Sequence, residues 1–159
     1  MNQLIYQTNI EKEVVNNEFY RKVLFSTNHQ QLVIMALKPN EDIPLEVHPS
    51  HDQFFCIEKG QCTIYIGENQ QAKYDLTDGD VFIVPANTWH RVCNPSNTES
   101  LKLYTIYSPP EHPANHIEQT KPMTGGKCAC NSMVGGKCAC NSFRSRYKAF
   151  KNKYLHTKN

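Results

Sequence analysis

Two stretches of this 159-residue chain place metal-ligand side-chain types where they can converge. In Glu46-Val47-His48, residues two apart in an extended strand share a face, so the carboxylate and the imidazole point the same way. After a turn through Pro49, Ser50, His51 and Asp52, a second strand puts Gln53, Phe55 and Ile57 on one face, bringing the Gln53 amide beside His48 above an apolar floor. The other stretch runs from Gly79 to Asn94, where a strand ends at a turn opened by Pro85 and His90 begins the returning strand. Two imidazoles and a carboxylate gathered in this way are a donor set for a divalent cation. The plainer alternative is two histidines that line a barrel and hydrogen-bond.

The elements that must position these residues read as short β-type runs between turn residues, without a period of 3.6. Runs at 20–27 and 31–38 flank Asn28-His29-Gln30, and 32–37 is apolar on both faces, as in a strand buried on both sides. Pro39-Asn40-Glu41-Asp42 breaks that run, and 45–48 begins another. Runs at 53–58 and 61–66 flank Lys59-Gly60, which reads as a two-residue hairpin turn. Further runs follow at 72–76, 81–84, 89–93 and 101–107. About nine strands at this spacing predict an all-β sandwich or barrel. Phe55, Ile57, Ile64, Ile66, Val81 and Ile83 are the expected inward residues, whereas Trp89 and Arg91 alternate with His90 and face away from the cavity. Residues 111–122 read as an ordered arm that leaves the barrel, with Pro113 and Pro122 preventing a long helix.

Gly79, Pro85, His90 and Asn94 fall at the spacing of the second motif of the cupin superfamily, with Asn87 standing where glycine is usual. Asn tolerates a left-handed backbone, so the turn survives the exchange. The first motif fits if His48 is its second histidine; Glu46 then replaces the first histidine, Gln53 the glutamate, and Gly60 is the closing glycine. Asp52-Gln53-Phe54, residues 85–90 and residues 101–113 resemble a group of small single-domain cupins of the mannose-6-phosphate-isomerase-like kind, over about residues 17–122. The resemblance implies an all-β, single-domain, double-stranded β-barrel of jelly-roll type. It also implies one divalent transition metal (Fe, Mn, Ni, Co or Zn) held by Glu46, His48, Gln53 and His90. Gln53 serves there either as a ligand or as an amide that orients one, and His51 is a substitute ligand. Glu46 doubles as the candidate general base.

The implied function is binding of the metal with a small polar molecule, a sugar derivative or an organic acid, at the barrel mouth. As an enzyme the chain would be a metal-dependent isomerase of the mannose-6-phosphate type, or alternatively a dioxygenase. The rival from another class is a non-enzymatic structural or interaction module. A homodimer is expected, as small cupins commonly form one.

Charge divides the chain. Residues 1–122 carry 9 Lys/Arg against 15 Asp/Glu, and residues 123–159 carry 8 Lys/Arg and no acid. The basic segment repeats Gly-Gly-Lys-Cys-Ala-Cys-Asn-Ser, placing Cys128, Cys130, Cys138 and Cys140 in two Cys-Ala-Cys units. We read 1–122 as the barrel and 123–159 as a flexible Cys-rich basic tail, for which nucleic acid is a secondary candidate partner. Cys56, Cys62 and Cys93 read as free, buried thiols. The first residues lack a basic region followed by an apolar run, and no apolar stretch spans a bilayer, so a cytoplasmic protein without a membrane partner is expected.

Overall fold

The computed structural model of the chain describes residues 5–122; the tail expected at 123–159 lies outside them. The described residues form a short helix, α1 (Ile10–Val15), and ten strands. These are β1 (Arg21–Ser26), β2 (Gln31–Leu37), β3 (Asp42–Glu46), β4 (Asp52–Lys59), β5 (Cys62–Ile66), β6 (Ala72–Leu76), β7 (Val81–Val84), β8 (His90–Cys93), β9 (Leu101–Ser108) and β10 (Ile117–Glu118). They make a six-stranded sheet in the order β10-β1-β2-β9-β4-β7 and a four-stranded sheet in the order β3-β8-β5-β6. Period-2 alternation sends Val33, Met35 and Leu37, Phe55 and Ile57, and Leu101 and Leu103 inward from the larger sheet, against Ile43, Ile64 and Val92 of the smaller. Each such side chain contributes about 1.5–3 kcal/mol of burial. This is the all-β jelly-roll architecture expected from the sequence.

β2 is buried on both faces, as its composition predicts. Ile34 and Ala36 face outward yet are almost inaccessible, because α1 packs on β2, β4 and β9. Asn9 caps α1 through its side chain, and Val14 is its fully buried residue. Cys56, Cys62 and Cys93 are buried and form no disulfide among the described residues. Among the described residues no helix is long and apolar enough to cross a membrane.

Four expectations are corrected. β3 starts at Asp42, running through Pro44, which a sheet edge tolerates because its missing N–H faces no partner strand. Lys59-Gly60 is not a hairpin: β4 and β5 lie in different sheets, and Gly60 carries the chain across with φ 95°. A Cβ there would stand 2.9 Å from the Ser100 carbonyl. On β7, Phe82 and Val84 face inward, opposite Phe55 and Gln53, so Val81 and Ile83 are exposed. The 111–122 arm does not leave the barrel. It folds back, pairs β10 with β1, and ends with Lys121 on Asp42.

Asp42 also accepts from Arg91 Nε at 2.7 Å, with both side chains almost fully buried. Arg91 thus faces away from the cavity, as expected, but into an ion pair rather than onto the surface. Removing one partner of such a pair leaves the other charge uncompensated. Asp42→Ala is therefore expected to destabilise the protein by about 3–5 kcal/mol, read as a lowered urea midpoint.

Candidate metal centre

Glu46 ends β3 and His90 opens β8, and the two are directly opposed partners in the smaller sheet. His48 lies just past β3, where its backbone carbonyl accepts from Asn87 N–H at 2.8 Å. Asn87 has φ 61°, the left-handed conformation that the residue usual at this place, glycine, adopts freely. The turn of the second stretch thereby grips the end of the first. Asn94 closes the same stretch: its amide donates to the carbonyls of Leu37, Lys38 and Glu99, which holds the loop behind β8. Gln53 approaches from the facing sheet, with Nε2 donating to Thr105 Oγ1 at 3.1 Å.

The donor atoms of Glu46, His48 and His90 lie within 4.8 Å of one another. Glu46 Oε1 is 3.3 Å from His48 Nε2 and 3.5 Å from His90 Nε2, and Gln53 Oε1 is 3.0 Å from His90 Nε2. His90 Nδ1 stands 2.9 Å from the Thr88 carbonyl. A carbonyl only accepts, so Nδ1 carries a proton and Nε2 faces the centre. There it meets Gln53 Oε1 and Glu46 Oε1, and the three atoms conflict unless a ring proton or a cation lies between them. A cation satisfies all three at once. Without one, a turned Gln53 amide answers the same conflict, since Thr105 can donate as well as accept. The residues present therefore fit a divalent cation.

Without a cation, protons on the two imidazoles take its place beside Glu46. Burial by itself would raise the Glu46 carboxyl, but hydrogen bonds to His48 and His90 and their charge outweigh it and hold it well below the usual range. Burial likewise lowers His48, but the hydrogen bond and charge of Glu46, joined by Glu111, raise it above its ordinary value. Burial and the Glu46 charge push the Tyr107 phenol upward, so it remains a hydroxyl.

The structure brings Glu46, His48 and His90 together, with Gln53 touching His90. His51 is not at this centre. It sits in a second cluster with His48 and Glu111, its Nε2 3.3 Å from Glu111 Oε2 and 3.2 Å from the Pro110 carbonyl. Glu111 Oε1 is 3.8 Å from His48 Nδ1, the side of the ring away from Glu46. A carboxylate there favours a proton on Nδ1, the nitrogen that faces away from the centre. Sequence reasoning gave Glu111 no role; the signal was a Glu-His pair bracketed by Pro110 and Pro113. It also missed His112, whose ring meets Tyr107 edge-on at 5.1 Å.

Burial, then the Arg21 charge, lowers His112 from 6.5 to about 4. Between those values the unfolded chain binds the proton and the folded chain does not, so stability falls as pH drops from 6.5 toward 4 and is full above 6.5. The unfolding free-energy difference between wild type and His112→Gln is expected to shrink from pH 7 to pH 5. A difference that does not change with pH would show that His112 titrates normally.

Comparison with known proteins places this geometry. The cupin domain family matches residues 33–107. An uncharacterized protein of Acanthamoeba polyphaga mimivirus is 42% identical over 94% of this chain and 88% of its own length. The uncharacterized Bacillus subtilis protein YrkC is 39% identical over 73% of this chain and 63% of its own. A crystal structure from Bacillus halodurans is similar with a TM-score of 0.71 and 36% identity, covering 74% of this chain and 91% of that one. With its two facing sheets and both motif stretches meeting at one centre, the chain belongs to the cupin superfamily, in the cupin type 2 group.

Proposed function

We propose that the barrel holds one divalent transition metal on Glu46, His48 and His90 and acts as a metal-dependent dioxygenase on a small polar molecule. The observation that carries this reading is the convergence of two imidazoles and one carboxylate within 4.8 Å. A 2-His-1-carboxylate set of this kind with open positions is the arrangement used by non-haem Fe(II) oxygenases. A redox-active cation held there would supply open positions for substrate and dioxygen. The protein's own residues position the donors: Thr88 holds the His90 imidazole, Glu111 stands beside the outer nitrogen of His48, and Gln53 offers an uncharged oxygen beside His90.

The mannose-6-phosphate-type isomerase has less support, because it asks Glu46 to be both ligand and base. A carboxylate whose Oε1 already faces both imidazoles, and which resists protonation, makes a good ligand and a poor proton acceptor. A non-enzymatic module would leave the centre without a use for its converging lone pairs.

The full chain purified without chelator is expected to hold close to one metal per chain, and His48→Ala or His90→Ala to abolish it with the β-rich circular dichroism intact. Gln53→Glu should tighten the metal, since a charge outweighs an amide dipole. Nitric oxide added to the anaerobic Fe(II) protein should give the electron-paramagnetic signal of a ferrous-nitrosyl centre; its absence from a metal-replete protein would remove the dioxygenase reading.

A homodimer through the outer face of the larger sheet belongs to the same proposal. Val81 and Ile83 are 55% and 62% exposed on the edge strand β7, and Ile83 neighbours the partly buried Phe54 across the ladder. If this face is the dimer contact, Ile83→Lys should shift the mass measured by light scattering to that of a monomer.

A further inference from the structure

Between the arm and the metal centre, two buried nitrogens lack a hydrogen-bond partner: Arg21 Nε and His112 Nε2. The Arg21 side chain is only 11% exposed. Its Nη1 is tied to Glu118 Oε2 at 2.7 Å, which fixes the guanidinium plane and leaves Nε without a protein acceptor. A guanidinium does not lose its proton, so this N–H always has a hydrogen bond to give.

Contacts between side chains connect the two nitrogens to the centre without a break. Glu118 Oε1 is 3.2 Å from His116 Nε2, and His116 stacks on His112 at 5.8 Å with the rings 14° apart. His112 meets Tyr107 edge-on, and Tyr107 meets His48 edge-on at 5.6 Å. On the other side, the Arg21 guanidinium lies over the Tyr20 ring at 5.5 Å. Arg21 thus comes from the first strand and His112 from the arm, and the wall between them ends at a proposed metal ligand.

We infer that Arg21 and His112 form a subsite for the carboxylate of a short organic acid whose second oxygen reaches the metal. The fork of a guanidinium matches the two oxygens of a carboxylate, and an imidazole whose Nε2 has no partner can carry its proton there to donate to the same group. Charge agrees: Glu118 offsets Arg21, whereas a divalent cation with Glu46 as its one carboxylate ligand keeps a positive charge that an anion neutralises. A 2-hydroxy acid has the required pair, a carboxylate and an adjacent oxygen donor. The span to the metal rests on the centre proposed above; the Arg21 and His112 half does not.

The test uses the full chain loaded with Co(II), glycolate as the acid and glycolamide as its neutral counterpart. Calorimetry follows ligand binding, and cobalt absorption reports contact with the metal. Glycolate is expected to bind about tenfold or more tightly than glycolamide, and Arg21→Met to abolish that preference while cobalt content stays at one per chain. Glu118→Gln breaks the ion pair but keeps the Arg21 N–H, so it should leave glycolate affinity unchanged or improved; an equal loss there would make Arg21 merely structural and overturn the subsite. If Arg21→Met fails to fold, His112→Phe in the folded protein serves, with the same expected loss of preference. Equal binding of glycolate and glycolamide by the wild type, or no binding of glycolate, also overturns it. A chain that takes up no cobalt but still prefers glycolate, lost in Arg21→Met, would refute the metal reading and leave the subsite standing.

Discussion

A single backbone carbonyl governs the chemistry of this barrel. By accepting from His90 Nδ1, Thr88 holds a proton on that nitrogen and turns the other, Nε2, toward Gln53 and Glu46. The carbonyl is where it is because the turn after Pro85 holds Asn87 left-handed and hydrogen-bonds back to His48. The turn therefore sets the tautomer of one imidazole and the position of the other. That His90 Nε2 faces Glu46 at the centre follows from backbone geometry more than from side-chain freedom.

The arm adds a second layer of control from far along the chain. Glu111 addresses the outer nitrogen of His48, while Gln31 anchors the arm by exchanging hydrogen bonds with the backbone of His112. Glu118 pairs with Arg21, and Lys121 with the buried Asp42. These contacts tie the arm to β1, β2, β3 and the loop after β3, and together they close one side of the barrel with titratable groups. A wall of this kind is costly to desolvate unless its charges are matched, and here Arg21 with Glu118 and Asp42 with Arg91 and Lys121 supply the matches.

How much of this was legible in the sequence depends on the range of the interaction. The Glu46–His48 face and the register of Gly79, Pro85, His90 and Asn94 were readable, because strand alternation and turn chemistry are local. The parity of β7 was not: Val81, Phe82, Ile83 and Val84 are all apolar, so no alternation marks the inward face. Lys59-Gly60 has the residues of a hairpin turn, and only the sheet to which β5 belongs shows that the chain crosses instead. Arg21 and Glu118 are 97 residues apart, and no local pattern announces such a pair. The core was therefore predictable in outline, the ligand candidates in part, and the arm's share of the site not at all.

Gln53 links the metal reading to the ligand reading. A carboxylate at that position would bring a second negative charge to the centre and cancel the remaining charge of a divalent cation. The amide brings an oxygen and no charge, so the metal is held more weakly but keeps a positive field directed into the barrel. That exchange is a disadvantage for a site whose purpose is to retain metal and an advantage for one that must attract an anion. The amide can also turn, giving His90 a donor when no cation is present, which lets the empty centre persist without a buried unpaired imidazole. Thr105 is the hinge of this alternative, since its hydroxyl pairs with either end of the amide. Position 53 therefore weakens the grip on the cation and strengthens the pull on a carboxylate, the combination that an organic-acid ligand spanning from Arg21 to the metal requires.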